Sequence, residues 1–291
     1  MRNKLVVIWL MSVLALGCKN YVKEEGYLNI NENKIHYKVL GKGKPLVFVH
    51  GGYLNLDMWE NQVQFFSERG YKTIVFSDLG HGKTALKNSN TYGYEIIDQI
   101  VEKVAEDKVT LVGLSWGAML SVDYALNFPE KIEKLVLVSP GLNGWSYFQD
   151  SVASENYTLR EVAMSDNDTL KAAELFHKNW AIGPRRNKAK LNAAFVEQSF
   201  RLIKSTMQKH WKAEWSKLDT LPAIDRLEKI NVPTLVLIGE EDAKDILMIG
   251  EKYHKDIPKC TLIEMENVAH LINMEKPELF NQILSDFLNE K

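Results

Sequence analysis

The sequence predicts an α/β fold, in which a mostly parallel, eight-stranded sheet has helices on both faces and a helical cap inserted between two strands. Short apolar runs alternate with helix-length amphipathic segments over residues 25–140, which is typical of a parallel sheet with helical crossovers. Residues 141–230 contain helical patterns but no convincing strand. From residue 231 onward strand and helix alternate again, so we interpret the middle segment as an insertion.

The first elements of this sheet are antiparallel strands. "YLNI" (27–30), "KIHYKVL" (34–40) and "PLVFVH" (45–50) are short runs rich in β-formers, and "NENK" between the first two supplies the residues of a tight turn. A turn this short joins antiparallel neighbours, so we expect a hairpin at this edge of the sheet.

The later elements follow the alternation in order. We predict helix 58–69, strand 73–76, helix 94–105, strand 109–114, helix 118–127 and strand 135–138, then cap helices over 168–180 and 189–215, and finally strand 232–239, helix 246–254, strand 260–265 and helix 277–288. The last helix has its apolar residues on one face. The predicted organisation is therefore a signal peptide (1–17), a core in two parts (18–140 and 231–291) and a cap (141–230).

The N-terminus has the layout of an export signal. Arg2 and Lys4 precede an apolar run over residues 5–16 that ends in Gly17 and Cys18. Such a run spans roughly 18 Å as a helix, too short for a hydrocarbon core of about 30 Å. "ALGC" resembles the bacterial lipoprotein box, which implies lipidation of Cys18 and a protein anchored to a membrane of the bacterial cell envelope. The alternative is an ordinary secretory signal and a soluble secreted or periplasmic protein.

Composition excludes some classes of function. The chain has 291 residues, 45% of them hydrophobic, and 36 basic against 38 acidic residues with a formal net charge of −2. It has no basic block, so we expect no nucleic-acid partner. The second cysteine, Cys260, lies in an apolar run and is expected as a buried free thiol. No cluster of His, Cys and Asp has ligand spacing, so we expect neither metal nor other cofactor.

A candidate nucleophile stands between a predicted strand and a predicted helix. Residues 113–117 read Gly-Leu-Ser-Trp-Gly, the G-x-S-x-G pattern of a strained turn that raises Ser115 above the sheet. A serine hydroxyl needs a base, oriented in turn by an acid. Asp242 and His270 each follow a later strand, and ends of parallel strands face one crevice. Asp242 competes with Glu241 and Asp245, which we expect to be solvent-facing loop acids.

With these residues in place, the chain resembles the α/β-hydrolase superfamily, in its capped esterase and epoxide-hydrolase-like branch. The resemblance covers nearly the whole mature chain: "FVHGGYLNLDMW", the serine turn, "FPEKIEKLVLVSP", Gly239 to Asp242, and "AHLINMEKPE". It implies acyl-enzyme chemistry on Ser115, Asp242 and His270, with an oxyanion hole formed by the backbone N–H groups of Gly52 and Trp116.

The resemblance also suggests the surroundings of the site. Tyr53, beside the oxyanion segment, and Trp145, next to a strand end, are candidates for substrate binding. The other tryptophans of the cap, Trp180, Trp211 and Trp215, are expected to pack in a core. We expect His50 to brace its glycine turn rather than to transfer protons.

One stretch offers a competing interpretation. "SDLGHGKT" (77–84) is one residue short of the phosphate-binding pattern G-x-x-x-x-G-K-[ST], with Ser77 in place of the first glycine. A P-loop leads directly into a helix, whereas polar "ALKNSNTYGY" follows here. The stretch also resembles the family's D-x-x-G-x-G-x-S loop, so we interpret it as a turn.

Three functions stay open at this point. The first is hydrolysis of a small ester, thioester, lactone or amide. The second is a proline-iminopeptidase-like aminopeptidase, because "HGG" and "GLSWG" resemble that group although Tyr53 and Leu54 replace its Pro and Gly. The third is a lipoprotein that binds a small ligand without catalysis. A serine nucleophile argues against epoxide hydrolase chemistry, and the natural substrate and oligomeric state stay open.

Overall fold

A computed structural model describes residues 23–290, and the predicted signal peptide and Cys18 lie outside this range. The strands are β1 Lys23–Ile30, β2 Asn33–Leu40, β3 Lys44–Val49, β4 Tyr71–Phe76, β5 Val109–Leu114, β6 Ile132–Val138, β7 Thr234–Gly239 and β8 Cys260–Met265. The helices are α1 Glu60–Ser67, α2 Gly93–Ile100, α3 Trp116–Asn127, α4 Ser151–Ser165, α5 Thr169–His177, α6 Ala193–His210, α7 Lys244–Asp256, α8 Ile272–Glu275 and α9 Pro277–Asn289.

The eight strands form one sheet in the order β1-β2-β4-β3-β5-β6-β7-β8. β1 and β2 are antiparallel, β2 and β4 are antiparallel, and every later pair is parallel. Asn31 and Glu32 have φ values of 47° and 70°, as a two-residue hairpin turn that follows the strand twist requires. The predicted eight-stranded, mostly parallel sheet and its antiparallel start are confirmed.

Alternate residues of each strand supply two cores, one on each face of the sheet. In β3, Val47 and Val49 pack into the core under α2, α3 and α7, whereas Leu46 and Phe48 pack into the core that contains α1 and α9. The second core continues into the cap through residues of α5 and α6. The cap is therefore joined to the sheet by continuous apolar packing.

The chain between β6 and β7 contains α4, α5 and α6, with no strand among these described residues. The helix predicted over 189–215 is shorter than expected, because Asn192 caps its start by accepting from Ala194 and Phe195 N–H and the helix ends at His210. The residues beyond it form a loop that places Trp215 against the core domain, a tertiary contact that helical periodicity does not reveal.

Some elements extend past their α-helical turns. A 3-10 turn at Leu56–Trp59 precedes α1, and π-helical turns at Val101–Ala105 and Lys178–Ile182 continue α2 and α5. Among residues 23–290, no helix combines the length and the apolar character needed to cross a membrane.

Candidate active site

Ser115 lies on a strained turn between β5 and α3. Its φ and ψ are 56° and −110°, a left-handed conformation that is costly for a residue with a side chain. The flanking glycines allow it: a Cβ on Gly113 would lie 2.4 Å from the Gly117 carbonyl, and one on Gly117 would lie 2.3 Å from the Val49 carbonyl. The tight packing of strand, turn and helix therefore needs both glycines, and it leaves Ser115 only half-buried.

Asp242 and His270 meet beyond the ends of β7 and β8. His270 Nδ1 lies 2.7 Å from Asp242 Oδ2, and both residues are buried. The second carboxylate oxygen, Oδ1, accepts from Ala243 N–H at 2.7 Å. A carboxylate at Nδ1 places the ring proton on that nitrogen and leaves Nε2 as the basic one. His270 and Ser115 line the same cavity.

Two backbone N–H groups are available beside Ser115. Gly52 follows β3, and Trp116 opens α3, where the first N–H groups have no partner within the helix. Neither N–H donates to an acceptor within residues 23–290. The Trp116 indole is fixed, because its Nε1 donates to Asp78 Oδ2 at 3.0 Å. The same oxygen accepts from Ser216 Oγ at 2.7 Å, so a buried carboxylate links the Ser115 turn to the loop that follows α6.

Two buried histidines hold the glycine segment before Tyr53. His50 Nδ1 donates to the Gly51 carbonyl at 2.8 Å and its Nε2 accepts from Asp78 N–H. His81 Nδ1 donates to the Leu79 carbonyl, and its Nε2 accepts from Tyr53 N–H at 3.1 Å. Burial lowers the pKa of each histidine to about 3, so both stay neutral acceptors at ordinary pH. Burial also raises the pKa of Asp78. His50 braces the loop, as its position predicts.

The loop that resembles a phosphate-binding motif is closed on itself. Thr84 Oγ1 donates to the Ser77 carbonyl at 2.6 Å, and Lys83 pairs with Glu25 at 3.1 Å. A Cβ on Gly82 would lie 2.5 Å from Ser77 Oγ, so this glycine is needed for the packing of the turn. No helix follows Thr84 before α2, and the interpretation as a turn is confirmed.

The cap covers the serine with apolar side chains. Phe176, Trp180 and Ile203 join Ser115 and His270 in lining a cavity of about 10 Å³. That is about the room a single water needs. The Trp180 ring centroid lies 4.8 Å from that of His270. The sequence did not identify Phe176 or Trp180, because an apolar helical pattern does not say which residue faces a cavity.

The other candidate aromatic residues lie in different places. Trp145 does not line this cavity; its Nε1 donates to Asp245 Oδ1 at 3.1 Å. Asp245 is buried, which corrects the expectation of a solvent-facing acid. Trp215 lies against the oxyanion segment, 4.8 Å from the Tyr53 ring and 5.2 Å from the Trp116 ring. The Tyr53 ring also contacts Phe176, at 5.0 Å, and so borders the cavity from outside.

Two consecutive arginines of the cap contact the loops that carry Asp242 and His270. Arg185 forms a two-pronged ion pair with Asp150, both contacts at 2.7 Å, and Asp150 Oδ2 also accepts from Lys244 N–H. Arg186 Nη1 donates to Glu275 Oε2 at 2.9 Å, and Arg186 Nη2 donates to Glu275 Oε1. Glu275 Oε2 also accepts from the N–H of Ala269, next to His270, at 3.4 Å. The cap is thus fastened beside both the Asp242 loop and the His270 loop.

Comparison with known proteins agrees with this architecture. A 2-hydroxy-6-oxononadienedioate/2-hydroxy-6-oxononatrienedioate hydrolase of Paraburkholderia phymatum is 25% identical over 91% of this chain and 95% of its own length. A proline iminopeptidase of Clostridium botulinum is 27% identical over 91% of this chain and 98% of its own. An esterase from Exiguobacterium antarcticum superposes with a TM-score of 0.75 at 22% identity, over 92% of this chain and all of the esterase.

The family model for the alpha/beta hydrolase fold matches residues 44–277, which run from β3 to the start of α9 and include the nucleophile turn, the cap and both later loops. The chain belongs to the α/β-hydrolase family.

Proposed function

We propose that the protein is a serine hydrolase that cleaves a small carboxylic ester, thioester, lactone or amide through an acyl-enzyme. The observation that carries the proposal is that Ser115, on a left-handed turn, shares a cavity with His270. The Nδ1 atom of His270 is hydrogen-bonded to the buried Asp242. This is the arrangement of nucleophile, base and orienting acid that acyl transfer requires.

In the proposed reaction, His270 Nε2 accepts the Ser115 proton as Oγ attacks the substrate carbonyl. Asp242 holds the Nδ1–H tautomer and stabilises the imidazolium that forms. The N–H groups of Gly52 and Trp116 bind the oxygen as it becomes negative, and fixed donors at this position lower the barrier more than groups that must reorient. His270 then protonates the leaving alcohol. Water, deprotonated by the same nitrogen, releases the acid and restores Ser115.

The cavity favours an ester over an aminopeptidase substrate. Apart from Ser115 and His270, the side chains that line it are aliphatic or aromatic, and none is a carboxylate. An aminopeptidase must bind the charged amino group of its substrate, and a buried ammonium without a counter-charge is costly. The 27% identity to a proline iminopeptidase keeps peptidase activity as the second candidate. Release of N-terminal proline from a dipeptide amide, without turnover of aryl esters, would favour that candidate.

The test is turnover of p-nitrophenyl esters of increasing chain length by the chain from Lys19 onward, beside its Ser115→Ala variant. We expect activity to be lost in the variant while circular dichroism is unchanged. Labelling of the wild type by a fluorophosphonate, absent in the variant, would count against a binding protein without catalysis. Undiminished esterase activity of Ser115→Ala would refute the assignment of the nucleophile.

We further propose that the protein is exported and held at a bacterial envelope membrane by a lipid on Cys18. The support is the sequence alone: a basic start, an apolar stretch and the "ALGC" box. Growth of an expressing bacterium with an alkyne-tagged fatty acid should label the wild type but not Cys18→Ala. Equal labelling of the two, or labelling of neither, would contradict the anchor.

A further inference from the structure

One arginine of the cap packs against aromatic side chains at the edge of the serine cavity. The guanidinium carbon of Arg160, on α4, lies 4.5 Å from the ring centroid of Tyr157, 5.7 Å from that of Tyr53 and 5.8 Å from that of Phe176. Tyr53 follows the oxyanion residue Gly52, and Phe176 lines the cavity itself. Phe176 therefore lies next to both the Arg160 guanidinium and the cavity that contains Ser115.

The hydrogen-bonding capacity of this guanidinium is largely unused. The Arg160 side chain is only 11% exposed. Within residues 23–290, it donates only to Glu161 Oε1, through Nε and Nη2, while Nη1 has no protein acceptor and stays in contact with solvent. Glu161 is the next residue in sequence, and its side chain is 52% exposed, so it offers the cation one solvated oxygen. A nearly buried guanidinium usually has better compensation, and its planar fork suits a carboxylate.

The neighbouring ion pairs of the cap do not have this spare capacity. Arg185 and Arg186 each bind both oxygens of a buried carboxylate. Around the cavity, the polar groups of Tyr53 and Trp180 donate to no acceptor among the described residues and are not fully buried. The unpaired hydrogen-bond donors of Arg160, Tyr53 and Trp180 complement an anion rather than an amine.

We propose that Arg160 binds a carboxylate on the acyl portion of the substrate, so that the preferred substrates are half-esters or other mono-acyl derivatives of small dicarboxylic acids. This inference rests on the proposed serine hydrolase function. Water cleaves the bond between the acyl carbon and the leaving oxygen, and the products are an alcohol and a dicarboxylic acid. Cation–π contacts with the rings of Tyr157 and Tyr53 hold the guanidinium in place before substrate arrives.

The experiment compares mono-p-nitrophenyl succinate, glutarate and adipate with p-nitrophenyl butanoate, pentanoate and hexanoate, which replace the distal carboxylate by methyl. Rates with Ser115→Ala are subtracted, because half-esters also hydrolyse spontaneously. We expect kcat/KM of the best half-ester to exceed that of its neutral partner by about tenfold or more, the size of a charge-assisted hydrogen bond. Arg160→Met should remove most of this preference, and Arg160→Lys should restore part of it.

A matched control is Arg69→Met. Arg69 also stacks on an aromatic ring, that of Phe65 at 3.5 Å. It follows α1, and Phe65, unlike Phe176, does not line the cavity, so the loss of Arg69 should leave the substrate preference unchanged. If wild type hydrolyses the neutral esters through Ser115 but shows no preference for half-esters, or if Arg160→Met keeps the preference, this inference is refuted while the proposed function stands.

A binding measurement keeps the inference testable if no ester is turned over. Calorimetric titration of the Ser115→Ala variant with glutarate, succinate and adipate should show binding that the Ser115→Ala/Arg160→Met variant loses. Absence of binding by all three diacids, or binding that survives the loss of Arg160, would overturn the carboxylate site whatever happens to the proposed function.

Discussion

Replacing Arg186 by Met tests whether the cap positions His270, the proposed base, or only stabilises the fold. Arg186 and Glu275 form a two-pronged pair with side-chain exposures of 11% and 8%. The substitution leaves a buried carboxylate without its partner, which costs about 3–5 kcal/mol. At roughly 2–4 °C per kcal/mol for a domain of this size, the melting temperature should fall by on the order of 10 °C.

The matched control is Arg226→Met. Arg226 pairs with Asp219 at 3.0 Å, with exposures of 16% and 10%, but this pair does not contact the His270 loop. We expect the two variants to lose similar stability. Only Arg186→Met should also slow fluorophosphonate labelling of Ser115, since Glu275 accepts from the N–H next to His270 and loses the cation that holds it in place.

The assay is thermal unfolding by circular dichroism together with the labelling rate, measured well below both melting temperatures. Equal labelling by the two variants would show that the pair does not position His270. An unchanged melting temperature of Arg186→Met would refute the energetic argument, because it would mean that the buried carboxylate does not need its partner.

Three further outcomes are expected. Gly117→Ala should abolish soluble folded protein, because its Cβ would lie 2.3 Å from a backbone carbonyl. The Cβ of Gly70→Ala meets nothing within 4 Å, so this variant should lose only about 1–2 kcal/mol of stability for its positive φ. Equal yields and melting temperatures of the two variants would contradict this reasoning. Trp180→Ala should enlarge the cavity and raise kcat/KM for long-chain p-nitrophenyl esters, relative to that for p-nitrophenyl acetate, by about tenfold or more. An unchanged dependence of kcat/KM on acyl chain length would place the acyl pocket elsewhere. His81 is held neutral by a pKa lowered to about 3, so its contribution to stability is present above pH 6.5 and is lost as pH falls toward 3. The free energy of urea unfolding should decline over this range with a slope that His81→Gln reduces by about 1.4 kcal/mol per pH unit. An identical slope in the variant would refute the assignment of a neutral, buried His81.

The sequence predicts most of the fold because the spacing of apolar residues that marks a helix or a strand is a local property of the chain. Apolar runs such as those of β5 and β7 are buried on both faces and can be recognised from a few neighbouring residues. The cap is harder to predict. The helix expected over 189–215 ends at His210, since contacts of Trp215 with Tyr53 and Trp116 decide where the following residues lie, and these partners are distant in sequence.

Some residues of the candidate site can likewise be predicted from the sequence, whereas others are decided by tertiary contacts. The pattern around Ser115 and the positions of Asp242 and His270 after strands follow from the sequence alone, because a strained turn needs particular glycines and the ends of parallel strands share one edge. The choice of Trp145 over Trp180 as a cavity residue, the burial of Asp245 and the arginine beside the cavity depend on how the cap helices pack on the sheet. The contacts between the cap and the sheet join residues far apart in the chain. No local pattern of residues encodes which side chains of the two parts will face one another.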